Sequence, residues 1–330
     1  MTEPVRLTLL DRIHIAGTVA NARFFGKSSP LLVGWSLTDR CQFRCSYCGI
    51  CGTGEHDLPT PRVVEVIAAL RDMGCRRIQY TGGEPLLRDD IGDILTATRL
   101  AGISATISTN GMAVPKKLDD LVGVAAVNIS LDGPEPVHDA VRGKGAFAGV
   151  TRAIDAAKKA GIPIRFAAVL HKGNLEHVEF LVEFAASHGT LITFQPVTRE
   201  VLGTPEDNPL VPETEDYRRA IDRLIALQEK GAPVGNSIPA LQHLRKWPGP
   251  APILCVGGRI FLRIEADGSV VNCQRRGGEP DGHLESGNIY ENLRAVHAVG
   301  CSTCWSAPVV EAACVLEGKV RSMLHLNRIL

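Results

Sequence analysis

Six apolar, β-branched runs recur along the first two hundred residues, and each ends in small or polar residues. They are "LLVGWSLT" (31–38), "RRIQYTGG" (76–83), "SATISTNG" (104–111), "AAVNISLDG" (125–133), "IRFAAVLHK" (164–172) and "LITFQPVT" (191–198). Segments with helical spacing separate most of them. "TPRVVEVIAALRDMG" (60–74) sets Val63, Val64, Ile67 and Leu70 on one face; "FAGVTRAIDAAKKAG" (147–161) and "LEHVEFLVEFAASHG" (175–189) repeat the pattern, each closing on Gly. Strand–helix alternation of this kind implies a parallel sheet with right-handed crossovers.

Two parallel architectures fit, and the polar residues decide between them. "TGGE", "STNG", "SLDG" and "QP" fall at the C-terminal ends of their strands, and a cysteine-rich loop follows the first strand in the same way. A barrel brings all such ends around one mouth, whereas a doubly wound sheet gathers ligands at one switch point. The expectation is an α/β chain whose residues 31–245 form a partial (β/α)6 TIM-type barrel behind an N-terminal extension, 1–30. After a Pro- and acid-rich connector, "DYRRAIDRLIALQEKG" (216–231) reads as a helix. The Pro-rich "KWPGPAPILC" then marks a domain boundary near 245–252, leaving 246–330 as a small auxiliary unit. Within it, "RIFLRIEADGSVVNC" reads as a hairpin turning at Asp267-Gly268.

Charge excludes some partners. Lys and Arg number 36, as do Asp and Glu, so nothing points to nucleic acid or an anionic membrane. The opening segment carries Asp11, Arg12 and His14 where a signal peptide or a span needs an apolar core. A cytoplasmic location follows, and in that reducing compartment ten cysteines are better read as metal ligands than as disulfides.

Four of those cysteines lie within "TDRCQFRCSYCGICG" (38–52). Cys41, Cys45 and Cys48 make C-x3-C-x2-C; Cys45, Cys48 and Cys51 make C-x2-C-x2-C. The second set would open a ferredoxin run, but no Cys-Pro follows it. Zinc would typically ask for a second Cys or His pair, and only His56 is near. The first set, with Tyr47 before its last cysteine, resembles the signature of the radical S-adenosylmethionine (radical SAM) superfamily. Gly82-Gly83-Glu84-Pro85 resembles that family's GGE motif, and the likeness covers roughly residues 32–200.

The resemblance implies a [4Fe–4S] cluster on three thiolates, with SAM chelating the open iron and yielding a 5′-deoxyadenosyl radical. It implies that Gly82 and Gly83 let backbone approach the methionine ammonium and that Glu84 accepts from it. Ser108, Asn110, Ser130 and Asp132 fall where relatives bind the methionine carboxylate or ribose. Arg142 falls where an arginine pairs that carboxylate, and Gln195 where the adenosyl or substrate side is lined. Cys51 is then a spare thiol or a hydrogen donor to substrate, a role for which Cys314 is the other candidate. An external reductant such as flavodoxin or ferredoxin is implied as partner.

A second set, Cys255, Cys273, Cys301 and Cys304, contains C-x12-G-x4-C around Gly268 and ends in C-x2-C. It resembles the SPASM/twitch auxiliary domains of the same superfamily and implies a second, auxiliary [4Fe–4S] cluster, with Cys314 as a substitute ligand. A structural zinc is the alternative. In layout the chain is similar to twitch-bearing aminocyclitol dehydrogenases of antibiotic biosynthesis. About 30 residues precede the first strand, short for a leader-binding module. The expectation is therefore a small-molecule substrate, a sugar, aminocyclitol or nucleoside that is dehydrogenated, epimerised or carbon-coupled. The alternatives are a ribosomal-peptide maturase and a non-catalytic iron–sulfur electron carrier.

Overall fold

The computed structural model describes residues 5, 8–201, 204–273, 280–298, 303–319 and 322. The chain opens with α1 (Leu9–Phe24), started by a capping box in which Thr8 and Asp11 exchange hydrogen bonds. Asp11 also pairs with Arg76 at 2.9 Å, which anchors α1 at the foot of the sheet. The stretch expected only as an extension thus contributes a packed helix.

Six strands follow, most of them separated by helices: β1 (Leu32–Ser36), α2 (Thr60–Asp72), β2 (Arg77–Thr81), α3 (Ile91–Leu100), β3 (Ser104–Thr109), β4 (Ala126–Ser130), α4 (Glu135–Arg142), α5 (Ala146–Lys159), β5 (Ile164–Leu170), α6 (Val178–Ser187) and β6 (Ile192–Pro196). Each strand pairs in parallel with the next in sequence. That unbroken order is the half-barrel's; a doubly wound sheet would reverse. Two further helices, α7 (Thr214–Glu229) and α8 (Ile238–Leu244), lead into β7 (Phe261–Ile264), β8 (Ser269–Val271), β9 (Gly282–His283), α9 (Ile289–Arg294) and α10 (Ala307–Leu316).

The sheet stays open. β6 does not return to β1; β1 instead takes β7 on its other side, in parallel, with Leu32 opposite Phe261 and Gly34 opposite Arg263. The hairpin turns at Asp267-Gly268 as its sequence predicts, with Gly268 at φ +85° and Asp267 Oδ1 accepting the Ser269 N–H. It extends the same sheet past the stretch 245–252, where the sequence leads one to expect a boundary. At the far edge, Asn236 imitates a strand residue: its Oδ1 accepts from Phe194 N at 2.7 Å and its Nδ2 donates to Phe194 O at 3.0 Å. The exposed ladder groups of β6 are thereby closed to foreign strands.

Strand alternation gives the sheet two unlike faces. Trp35, Tyr80, Ile107, Ile129, Phe166 and Phe194 are buried beneath the helices. The other face, the inside of the half-barrel, presents Gln79, Thr81, Ser108, Asn128, Ser130 and Gln195. One expected core position is corrected. Val64 is 39% exposed, and Val66 is buried in its place. With Val63, Ile67 and Leu70 fixed inward, a residue at 66 completes the i, i+3, i+4 stripe and 64 falls outside it. Among the described residues, no helix is long and apolar enough to cross a membrane.

Candidate active site at the strand ends

The cysteine loop leaves β1 and closes on itself. Arg40 bridges Gly52, whose N–H donates to Asp39 O at 2.9 Å, and Asp39 Oδ1 accepts from Gly54 N at 2.6 Å. A Cβ on Gly52 would sit 1.8 Å from Asp39 Oδ2, so a side chain there would displace the Asp39 carboxylate that holds the stem. Inside the loop, Cys48 N donates to Cys45 O at 2.9 Å. The turn brings Cys41, Cys45 and Cys48 to the wall of one cavity. Cys51 is half-buried in the stem beside Gly52 and does not line it. Burial pushes all three cavity thiols up, Cys45 to about 11, against the pull of Arg142. Ligation there must release protons.

The opposite wall is the glycine pair. Gly83 N donates to Thr38 O at 2.8 Å and Glu84 N to Arg40 O at 2.7 Å, which lays the end of β2 directly on the base of the cysteine loop. A Cβ on either glycine would meet backbone oxygen at 2.2 Å, Thr38 O for Gly82 and Arg40 O for Gly83. Gly82 also sits at φ +139°.

Ser108, Asn110 and Ser130 complete the wall from β3 and β4. Asn110 Oδ1 accepts from Met112 N at 3.0 Å and from Gln42 Nε2 at 3.2 Å, which fixes the orientation of the amide. Its Nδ2 is buried and finds no partner among the described residues. Tyr47 and Arg142 line the remaining side. Three thiols, a cradle that admits no Cβ and a buried donor without an acceptor fit a three-thiolate [4Fe–4S] cluster with SAM beside it. Among the described residues no three His, Cys, Asp or Glu side chains converge on a single metal ion; the thiols ring the cavity instead.

Four of the expected site residues stand outside the cavity wall. Glu84 does not line the cavity. It is fully buried, and its carboxylate accepts from Thr109 Oγ1 (2.8 Å), Asn110 N (2.8 Å) and Leu86 N (3.1 Å). Burial still pushes it up to about 7. It thereby joins the ends of β2 and β3. Asp132 is likewise fully buried behind the wall, where burial raises it but the Arg142 guanidinium overrides that and holds it below the usual carboxylate range. Gln195 is exposed and lies opposite Val169, itself a wall residue, so it stands one strand outside the cavity. Cys314 lies fully buried in α10, its thiol pushed up to about 11 by burial, and does not line the cavity.

Some contributors carry no sequence signal. Thr109 holds Glu84, Gln42 holds Asn110, and Asn174 Nδ2 donates to Asp132 O and Val169 O at 2.8 Å each. The bonds to Glu84, Asn110 and Asp132 span 25, 68 and 42 residues, beyond what periodicity can reach. In the C-terminal unit, Cys255, Cys273 and Cys304 are half-buried, and Cys301 lies outside the described residues.

An open parallel half-barrel that gathers three thiols and a glycine cradle at its strand ends defines the class of iron–sulfur, SAM-binding domains. Residues 35–185 match the radical SAM superfamily, and the chain carries a domain of that family. It is 27% identical over 260 residues to the mycofactocin maturase MftC of Mycolicibacterium smegmatis, across 75% of this chain and 65% of that protein. It is 33% identical over 190 residues to a probable GTP 3′,8-cyclase of Halobacterium salinarum, across 52% of each. The chain thus spans about half to two thirds of the length of these relatives. In fold it is similar to Streptococcus suis SuiB bound to S-adenosylmethionine, with a TM-score of 0.66 at 16% identity over 86% of this chain and 71% of that one.

Proposed function

We propose that this chain is a radical SAM maturase acting on a peptide. The observation that carries the radical chemistry is the cavity itself, where Cys41, Cys45 and Cys48 face Gly82, Gly83 and the unpartnered amide of Asn110. When bound, the cluster and SAM would supply one electron and a 5′-deoxyadenosyl radical for hydrogen abstraction. The chain's own residues do the rest. The loop stem fixes the thiols, the glycine pair lets the end of β2 pack directly on the loop backbone, and Asn110 stands in the wall with a buried Nδ2 that has no partner among the described residues.

The peptide reading is favoured by the match to the mycofactocin maturase. At 260 residues that match extends past residues 35–185. A nucleotide is the second reading, favoured by matches to GTP 3′,8-cyclases at 33–34% identity over about half the chain and at 27% over 271 residues. Both displace the sugar or aminocyclitol expected from the short N-terminal stretch. The proposal includes an auxiliary [4Fe–4S] cluster on Cys255, Cys273, Cys301 and Cys304, an external flavodoxin- or ferredoxin-type reductant, and a reducing, cytoplasmic setting that suits ten cysteines.

The test is anaerobic reconstitution, reduction and incubation with SAM, adding in parallel candidate precursor peptides from the genomic neighbourhood and GTP. Release of 5′-deoxyadenosine with a mass change on a peptide supports the reading. A product from GTP alone selects the nucleotide reading. Absence of SAM cleavage under every condition leaves the electron carrier.

A further inference from the structure

We infer that Tyr47, Asp132 and Arg142 form a clamp that positions the cysteine loop against the end of β4, a role separate from contact with SAM. The inference rests on the three-thiolate reading of the cavity. Tyr47 lies between Cys45 and Cys48, so whatever holds it holds two of the three thiols. Its hydroxyl donates to Asp132 Oδ2 at 3.0 Å and accepts from Arg142 Nη2. Arg142 Nε donates to the same Asp132 oxygen at 2.6 Å, and its guanidinium lies 5.6 Å from the centre of the Tyr47 ring. One residue earlier, Ser46 donates through both N and Oγ to Val141 O, at 3.1 and 3.3 Å, in the last turn of α4. Two successive loop residues are therefore moored to one rigid element.

The anchor end is over-determined. Asp132 Oδ1 accepts from Val169 N at 3.0 Å, its carbonyl accepts from Asn174 Nδ2 at 2.8 Å, and its own N–H donates to His138 Nδ1 at 3.1 Å. β4, β5 and α4 all converge on it, so Asp132 is fixed and Tyr47 is the part being held. The energetics agree. The Asp132 and Arg142 side chains are 0% and 9% exposed, and a buried ion pair seldom adds net stability over apolar packing. Its retention beside a ligand loop is explained if it presents a charged acceptor and a donor to Tyr47. Arg142 consequently has Nε and Nη2 committed inside the protein and turns only the rest of its guanidinium to the cavity.

The test uses Tyr47→Phe, which keeps the ring and removes the hydroxyl. Both proteins are reconstituted with iron and sulfide, and iron release to a chelator is followed with SAM absent. Loss of two buried hydrogen bonds to charged partners predicts release about tenfold or more faster in the variant, together with a broadened EPR signal from the reduced cluster. Asp132→Asn, which removes the charge but keeps the shape, should accelerate release in the same direction. Equal release rates for Tyr47→Phe and the unaltered protein, with only SAM affinity changed, would overturn the clamp. Failure of the unaltered protein to hold any cluster would overturn the three-thiolate reading on which it rests.

Discussion

Glu84 accepts the backbone N–H of Asn110 at 2.8 Å, tying the end of β2 to the end of β3 from inside the protein. The residue that motif resemblance places on the cofactor thus acts through its neighbours. Its carboxylate holds the Asn110 backbone in place, and Asn110 in turn stands in the cavity wall.

This makes Glu84→Ala a stability variant first. It orphans the buried Thr109 hydroxyl and two backbone donors and opens a void. The cost expected is about 2–4 kcal/mol, read as a lowered melting temperature in the absence of SAM. SAM affinity should fall with it. A variant that melts like the unaltered protein yet binds SAM more weakly would put the carboxylate back in direct contact.

The stem geometry separates Cys51 from the other three thiols. Changing Cys41, Cys45 or Cys48 to Ala should abolish 5′-deoxyadenosine formation, while Cys51→Ala should retain it. The reverse pattern, with Cys41→Ala active and Cys51→Ala inactive, would restore the ferredoxin-like set.

The auxiliary cysteines predict iron content. Reconstituted protein should hold about eight irons, four per [4Fe–4S] cluster, and the Cys41/Cys45/Cys48 triple Ala variant about half of that. Zinc in the C-terminal unit, with iron only at the first loop, would replace the auxiliary cluster by a structural metal.

Glu311 predicts a pH dependence. Buried in α10, it accepts from Ser237 N at 2.6 Å at the start of α8, and burial pushes it up to about 7. The folded protein therefore holds this proton where the unfolded chain has released it. Stability contributed by the protonated form is complete below about 4.5 and is lost as pH rises toward 7. Glu311→Gln keeps an acceptor for Ser237 N and cannot ionise. Its melting temperature should exceed that of the unaltered protein at pH 8 and approach it at pH 5. A constant difference between the two pH values would show that Glu311 does not carry the effect.

Elements with a short period were legible without a structure. The six strands lie within one to three residues of the runs that announce them, and the hairpin turns where Asp267-Gly268 places it. Placement of α2 was less secure, because Val64 and Val66 are equally apolar and only the packing of Val63 and Ile67 against the sheet chooses between them.

The sequence by itself determined the parallel half-barrel and the loops that carry its chemistry. Alternation, helical spacing and motif are local properties, set by side chains a few residues apart. Only the tertiary structure decided how those loops meet. Cys51 is excluded by a bridge between Arg40 and Gly52, and Glu84 turns inward to Asn110, 26 residues on. Tyr47 finds Asp132 across 85 residues, and β1 finds β7 across more than two hundred. Those pairings depend on which donors and acceptors come within about 3 Å once the sheet has assembled, and no spacing along the chain encodes that.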